Sequence, residues 1–230
     1  MKSWCKILIL LGGLVFTQCS NKISPFELQA GDLLFQDLDC GPLCEAIEKV
    51  TKGIHQADFS HMGIVDTLNG MPVVIEAITT GVSVTPIDEF LSRSRDSLGR
   101  PKVVVGRLIP QLQNLIPAML HFAKSKIGLP YDAVYQAGDS CYYCSELIHD
   151  AFLQASHDST IFYMQPMTFK QVNDTLIFPV WQDYFDALHV PVPEGKPGIN
   201  PGAISRSPAI DIVYTYGFPE GWDTTMIGMK

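Results

Sequence analysis

The chain has 230 residues, and 47% of them are hydrophobic, which is enough to build the core of one good-sized domain. Its formal net charge is −8, and the sequence shows no cluster of basic residues that could bind a phosphate backbone. Nucleic acid is therefore not a predicted partner. The sequence contains no internal repeat and no low-complexity segment.

The N-terminus has the features of a bacterial secretion signal. Lys2 and Lys6 form a basic start, and residues 7–16 are an apolar run that is too short to span a bilayer. Cys19 follows, as in the lipobox of bacterial lipoproteins, where this cysteine is lipidated and becomes the new N-terminus. We therefore predict a signal peptide over residues 1–18 and a linker over residues 19–30. The predicted location is the bacterial cell envelope, facing the periplasm or the surface, with a membrane anchor at Cys19.

The following part of the chain begins with strands and continues with helices. Asn69 and Gly70 separate two apolar runs and predict a tight β-hairpin. Strands are predicted at residues 33–35, 59–65, 73–78, 81–85, 102–108 and 210–216, the last on a sheet edge. Helices are predicted at residues 43–52, 86–95, 115–127 and within 139–154. Strands followed by helices indicate an α+β fold with antiparallel strands.

The helix within residues 139–154 carries a cysteine near its start. Its apolar residues recur at the spacing of one helix face: Cys144, Leu147, Ile148, Ala151 and Phe152. Asp139 or Ser140 is predicted to cap this helix, which places Cys144 in or near the first turn. There the helix dipole favours an anion such as a thiolate, and unpaired N–H groups stabilise an oxyanion. The alternative is that Cys144 is a small buried hydrophobic residue.

The other cysteines leave several interpretations open. Cys5 leaves with the signal peptide, whereas Cys40, Cys44 and Cys141 remain in the mature chain. Two close pairs are compatible with a zinc site or with disulfides outside the cytosol. Cys141 is also the rival nucleophile. We expect Cys144 to stay a free thiol, because a disulfide with Cys141 would remove its nucleophilic sulfur.

His61 is the histidine whose position best suits a partner of the thiol. It stands at the start of the first hairpin strand, and Glu76 lies on the second strand among apolar neighbours. The tight turn can bring the two side chains together, so that the carboxylate orients the imidazole ring. The alternatives are a hydrogen-bonded sheet histidine and an exposed strand carboxylate. A Glu buried at this position would need a partner.

A set of motifs in this order resembles the YaeF/YiiX family, a circularly permuted branch of the NlpC-type, papain-like peptidases. The motifs are residues 31–33 (GDL), 59–65 (FSHMGIV), 74–77 (VIEA), 128–132 (GLPYD) and 142–147 (YYCSEL). The resemblance implies a permuted papain-like fold in which an antiparallel sheet packs against a central helix bearing the nucleophile. It covers roughly residues 30–155 of a domain predicted over residues 31–230. The extension from about residue 156 is left unassigned, and its Pro- and Gly-rich part is predicted to be mostly loop.

The resemblance also implies roles for individual residues. Cys144 would be the nucleophile and would lend its backbone N–H to an oxyanion hole. His61 would be the general base and Glu76 the orienting residue. Tyr131 would bind substrate or assist the oxyanion hole, with plain packing as its alternative. Two further residues, each directly before one of the catalytic candidates, are expected to bind substrate: Ser60 and Tyr143. No metal and no cofactor is implied.

The predicted function is that of an envelope cysteine amidase or peptidase. It would act through a thioester on amide bonds, in peptidoglycan peptides or amino-acid amides. Two alternatives stay open beside it. One is a lipid acyltransferase or phospholipase-like enzyme of the same fold, and the other is a non-catalytic lipoprotein that binds a small ligand.

Overall fold

The computed structural model of the protein describes residues 26–138, 140–157, 159–171 and 174–226. The predicted signal peptide, the lipidation site at Cys19 and most of the predicted linker lie outside the described residues.

A six-stranded sheet forms the centre of the fold, and every neighbouring pair of its strands is antiparallel. Its strands are β1 (Leu33–Gln36), β2 (His61–Leu68), β3 (Met71–Ile78), β4 (Gly81–Pro86), β5 (Val103–Leu108) and β8 (Ile210–Thr215). The spatial order is β4-β3-β2-β1-β5-β8, so β8 lies on an edge as predicted. A separate two-stranded ribbon pairs β6 (Gln165–Pro166) with β7 (Pro197–Gly198).

Helices cover both faces of the sheet, which confirms the predicted α+β class. They are α1 (Pro42–Val50), α2 (Ile87–Ser92), α3 (Ile116–Ser125), α4 (Cys144–Ala155), α5 (Pro179–Ala187) and α6 (Pro201–Ser205). Successive strand residues point to opposite faces, so Leu33 and Phe35 join the core beneath α3 and α4, whereas Leu34 joins Phe90 of α2. In the described chain, no helix is long and apolar enough to cross a bilayer.

The turn between β2 and β3 has the geometry that the sequence predicted. Asn69 and Gly70 both have positive φ angles, 53° and 78°, as a two-residue hairpin turn requires. The turn fixes the register, so that Ile64 pairs with Ile75. This hairpin sets the positions of His61 and Glu76 relative to each other.

The predicted cap of the cysteine helix is wrong. The helix begins directly at Cys144, and its N-cap residue is Tyr143, in an extended conformation, rather than Asp139 or Ser140. Glu146, in the first turn, reaches back to the backbone N–H of Tyr143, which is one half of a capping box. This interaction satisfies the backbone N–H of the N-cap residue itself.

The C-terminal third is more structured than the sequence predicted. Helix α5 packs on α1 through an aromatic cluster that includes Phe169, Trp181 and Phe185. Helix α6 follows, within a segment predicted to be mostly loop, and Asn200 caps it by accepting a 2.7 Å hydrogen bond from the N–H of Ala203. These elements form one wall of the cavity described below.

Candidate active site

Cys144 is the first residue of α4, and its side chain is nearly buried at 7% exposure. The sulfur is a free thiol. N–H groups of a first helical turn have no partner within their own helix. The backbone N–H of Cys144 is therefore placed to donate to an oxygen atom that develops negative charge beside the sulfur.

His61 begins β2, and its ring lies between a thiol and a carboxylate. Its Nε2 is 2.6 Å from Oε2 of Glu76, and the ring also hydrogen-bonds the side chain of Cys144. Because Nε2 is engaged by Glu76, Nδ1 is the ring nitrogen that meets the sulfur. The structure thus brings together the three residues that the sequence analysis named as nucleophile, base and orienting group.

The charges of these groups stabilise one another. Burial lowers the pKa of His61, but hydrogen bonds and charges of Cys144 and Glu76 outweigh it and raise the pKa to about 9. Burial raises the pKa of Glu76, but hydrogen bonds from His61 and Arg93 outweigh it and lower the pKa to about 2. At neutral pH the ring is therefore protonated and the carboxylate ionised. A protonated imidazole beside sulfur is the arrangement that supports a thiolate nucleophile.

Two residues that the sequence analysis missed hold Glu76 in place. Arg93 follows α2 and donates two hydrogen bonds to the carboxylate, at 2.8 Å to Oε2 and 2.6 Å to Oε1. The hydroxyl of Thr85, on β4, donates to Oε1 as well. A bidentate ion pair between arginine and a carboxylate is stronger and more directional than a single charged hydrogen bond. Glu76 is fully buried, and its carboxylate is bonded by His61, Arg93 and Thr85.

A glycine makes room for the contact between Glu76 and His61. Extending the register of Ile64 with Ile75 places Gly63 opposite Glu76, and His61 is the diagonal neighbour on the same face. A Cβ on Gly63 would lie 3.2 Å from Cβ of Glu76 and would also collide with the side chain of Val74. Glycine at this position therefore avoids crowding beside Glu76, whose carboxylate lies across β2 towards the ring.

Tyr131 lines the cavity in front of Cys144. Burial and the nearby charge of Cys144 raise its pKa, so the hydroxyl stays protonated and can donate. That hydroxyl hydrogen-bonds Tyr135, a bulky residue held at a positive φ of 55°. Backbone strain of this kind persists only where surrounding packing imposes it. The ring of Tyr135 packs edge-on against Trp181 of α5, which links the loop of Tyr131 to the C-terminal third.

Ser60 and Tyr143, the other two predicted substrate-binding residues, also line the cavity. The hydroxyl oxygen of Ser60 accepts a 2.9 Å hydrogen bond from the backbone N–H of Leu38. The hydroxyl of Tyr143 accepts a 3.1 Å hydrogen bond from the backbone N–H of Ile199. The Tyr143 hydroxyl is thus engaged with the C-terminal segment, and its ring forms part of the cavity wall.

The cavity at the nucleophile has a volume of about 270 Å³. Its lining comes from the start of α4, the loop of Tyr131, α1, and residues 165–169, 198–201 and 206. Aromatic and aliphatic side chains such as Trp181 and Phe169 supply much of its surface. The C-terminal extension, unassigned from the sequence, therefore builds half of the site.

The remaining cysteines lie away from this cavity. Cys40 and Cys44 form a disulfide at the start of α1. This bond takes up two of the four thiols that the alternative zinc site would have used. Cys141, the rival nucleophile, precedes α4 and is not among the residues that line the cavity.

Comparison with known proteins assigns the family. The sequence profile of the permuted papain-like amidase enzymes of the YaeF/YiiX family matches residues 27–214. The chain therefore belongs to this family, and its class is that of papain-like cysteine amidases and peptidases. In chain order the strand of His61 precedes the helix of Cys144, as the permuted topology requires.

Two relatives illustrate the similarity. An uncharacterized protein, YiiX of Escherichia coli strain K12, is 30% identical over 131 residues, or 56% of this chain. The match spans 60% of that relative's length. A crystal structure of the protein yiiX from Escherichia coli O157:H7, described as a metalloprotein, superposes with a TM-score of 0.70. It covers 84% of this chain and 100% of its own at 23% identity, which shows a shared fold.

The described residues do not provide a metal site of three or more ligands. Among them, no group of three or more His, Cys, Asp or Glu side chains is arranged to hold a metal ion. The donor set present does not fit such a centre.

Proposed function

We propose that the protein is a cysteine amidase or peptidase of the bacterial cell envelope that cleaves amide bonds through a thioester on Cys144. The observation that carries this proposal is the position of His61. Its ring hydrogen-bonds both the side chain of Cys144 and the carboxylate of Glu76. His61 can therefore exchange a proton with the nucleophile while Glu76 holds the ring in place. Membership of the amidase family supports the same reaction class.

The first half of the reaction forms the acyl-enzyme. At neutral pH His61 already carries the proton, and the thiolate of Cys144 beside it attacks the amide carbon. The carbonyl oxygen becomes an oxyanion, which the backbone N–H of Cys144 stabilises, with the Tyr131 hydroxyl as a second donor. The protonated His61 then gives its proton to the leaving nitrogen as the C–N bond breaks.

The second half restores the enzyme. Water attacks the thioester carbon while His61 accepts one of its protons, and a second oxyanion forms at the same place. Collapse of this intermediate breaks the C–S bond and releases a carboxylic acid. The sulfur leaves as a thiolate beside the protonated His61, which is the resting state of the pair. Glu76 stays ionised throughout, since its role is to orient the ring and to stabilise its positive charge.

The size of the cavity favours small acyl groups. A volume of about 270 Å³ lies just below the usual range of small-molecule pockets and suits an amino-acid residue or a short peptide segment. Peptidoglycan stem peptides and amino-acid amides are the substrates proposed on this basis.

The proposed envelope location draws on two features. The N-terminal sequence has a basic start, an apolar run and Cys19 in the order of a lipoprotein signal. The disulfide between Cys40 and Cys44 supports the same compartment, because disulfides persist in oxidising surroundings and are rare in the cytosol. Fractionation of the native host tests this part, and unlipidated protein found only in the cytosol would contradict it.

The reaction is tested by product analysis. Purified protein is incubated in parallel with muropeptides and with phospholipid vesicles, and products are identified by mass spectrometry. We expect cleaved amide bonds in the muropeptides, no turnover with Cys144→Ala, and unchanged turnover with Cys141→Ala. Products from the phospholipids alone would replace the proposal with the lipid alternative. Equal turnover by the Cys144→Ala protein would overturn it.

A further inference from the structure

Arg206 introduces a positive charge into the cavity of the nucleophile. Among the described residues that line this cavity, it alone has a formally charged side chain. Its neighbours in the lining are aromatic, aliphatic or neutral polar groups. A molecule in the cavity therefore meets one cationic side chain among groups that are otherwise uncharged.

Arg206 differs from the paired arginines of the protein. Arg93 is bound to the carboxylate of Glu76, and Arg107 to that of Asp32. Burial lowers the pKa of Arg206, and no charge within the described chain opposes that effect. Unlike Arg93 and Arg107, Arg206 is exposed to solvent and forms no ion pair with a described carboxylate, so its guanidinium is open to an anion in the cavity.

The segment that carries Arg206 is fixed to the nucleophile helix. The two residues that flank Cys144 both bind the backbone of Ile199. The hydroxyl of Tyr143 accepts from its N–H at 3.1 Å, and the hydroxyl of Ser145 donates to its carbonyl at 3.0 Å. From Ile199 the chain passes directly into α6, which Arg206 terminates.

The other side of α6 is fixed as well. The hydroxyl oxygen of Ser205 accepts a 3.0 Å hydrogen bond from the backbone N–H of Ile54. Gly202 lies so close to the carbonyl of Thr51 that a Cβ there would collide with it. With only five residues, α6 is about 7.5 Å long. The backbone of Arg206 is thus held in a set position relative to the sulfur before any substrate binds.

We propose that Arg206 determines specificity by binding a carboxylate of the substrate close to the scissile amide. This inference rests on the proposed function and names the substrate class: amides that carry a free carboxylate within one or a few residues of the bond that is cut. A guanidinium matches the planar, two-oxygen shape of a carboxylate and binds it through two parallel hydrogen bonds.

The cavity favours a carboxylate over a phosphate. The described lining contains no lysine and no second arginine that could share the larger charge of a phosphate. One guanidinium balances one carboxylate. A phosphate group, which offers three acceptor oxygens, is ordinarily bound by more donors than this cavity provides.

Alkylation of Cys144 tests the inference without a known substrate. The probes are iodoacetyl derivatives of glycine, diglycine and triglycine, each prepared with a free carboxylate and as the neutral carboxamide. The rate constant for labelling Cys144 is measured by mass spectrometry, and the readout is the carboxylate-to-carboxamide ratio at each length. We expect Arg206→Gln to lower this ratio by about tenfold for at least one length.

Two further variants separate recognition from structure. Arg206→Lys keeps the charge and is expected to retain part of the ratio, which a merely structural role would not predict. Arg95→Gln removes an exposed arginine outside the cavity, whose side chain bonds the carbonyl of Gly99, and should leave the ratio unchanged. An unchanged ratio in Arg206→Gln at all three lengths would overturn the inference while leaving the proposed function intact. Failure of every probe to label Cys144 would overturn both.

Discussion

The carboxylate of Glu76 holds the imidazole of His61 through a hydrogen bond of 2.6 Å between Oε2 and Nε2, and both residues are buried. The pairing dictates which ring nitrogen faces Cys144. Arg93 in turn holds the carboxylate through two hydrogen bonds. The orientation of the proposed base is therefore set by a chain of contacts that begins at a residue outside the sheet.

Glu76→Gln tests the orienting carboxylate. The amide is nearly isosteric but neutral, so it stabilises the imidazolium of His61 less and disturbs the tautomer. We expect turnover of the cleaved amide to fall about a hundredfold or more, with a smaller change in KM. The matched control is Glu89→Gln, since Glu89 is exposed and lies 3.9 Å from the same Arg93. Equal rates for the two variants would contradict the assignment.

Arg93→Met tests the support of Glu76. The substitution removes two hydrogen bonds from a buried carboxylate, which keeps those from His61 and Thr85. We expect the free energy of unfolding in urea to fall by about 2 kcal/mol. Arg95→Met, at an exposed position, should change it by less than about 0.5 kcal/mol. The interpretation fails if both variants have the same stability.

The stability of the fold should depend on pH through the same pair. The pKa of Glu76 is lowered from 4.5 to about 2, so its contribution is present above pH 4.5 and is lost as pH falls towards 2. The pKa of His61 is raised from 6.5 to about 9, so its contribution is present below pH 6.5 and is lost as pH rises through 9. Both contributions are complete between pH 4.5 and 6.5.

Urea unfolding of the wild type and of Glu76→Gln from about pH 2 to about pH 9 checks that expectation. The difference in unfolding free energy between the two proteins should be largest in the middle of the range and should shrink towards both ends. A difference independent of pH would show that Glu76 and His61 do not stabilise each other's charges.

Glu146→Gln should raise the free energy of unfolding, whereas Glu76→Gln should lower it. Burial, with the charges of Asp150 and Asp132, raises the pKa of Glu146 from 4.5 to about 8. A raised carboxyl pKa costs stability progressively as pH rises from 4.5 to about 8, because the group ionises in the unfolded chain while it must stay protonated in the fold. The Gln variant should thus gain stability over the wild type across that interval, as measured by urea midpoints. A gain that does not grow with pH would refute this explanation.

Local signals were sufficient to predict the parts of the site that depend on neighbouring elements. Asn69 and Gly70 specify a tight turn, and that turn determines which residues of β2 and β3 face each other. The proximity of His61 and Glu76 could therefore be read from a short segment. Helix α4 could also be predicted from a local signal, since its buried face follows the period of 3.6 residues.

Contacts between distant segments could not be predicted in this way. Asp139 and Ser140 are good capping residues, yet packing places the start of α4 at Cys144, where Glu146 bonds Tyr143 instead. Arg93 carries no local pattern that would direct it to a carboxylate on β3. The C-terminal wall was missed for the same reason, because α5 is stabilised by its aromatic contacts with α1 rather than by its own sequence.

The central claim is that Cys144 and His61 share a proton as one unit, and NMR titration of the His61 ring nitrogens tests it most directly. In the wild type we expect a pKa of about 9 for His61, with Nδ1 as the nitrogen most affected by the sulfur. In Cys144→Ala the pKa should fall, because the hydrogen bond and the charge of the sulfur are gone. The same pKa in both proteins would contradict the pairing.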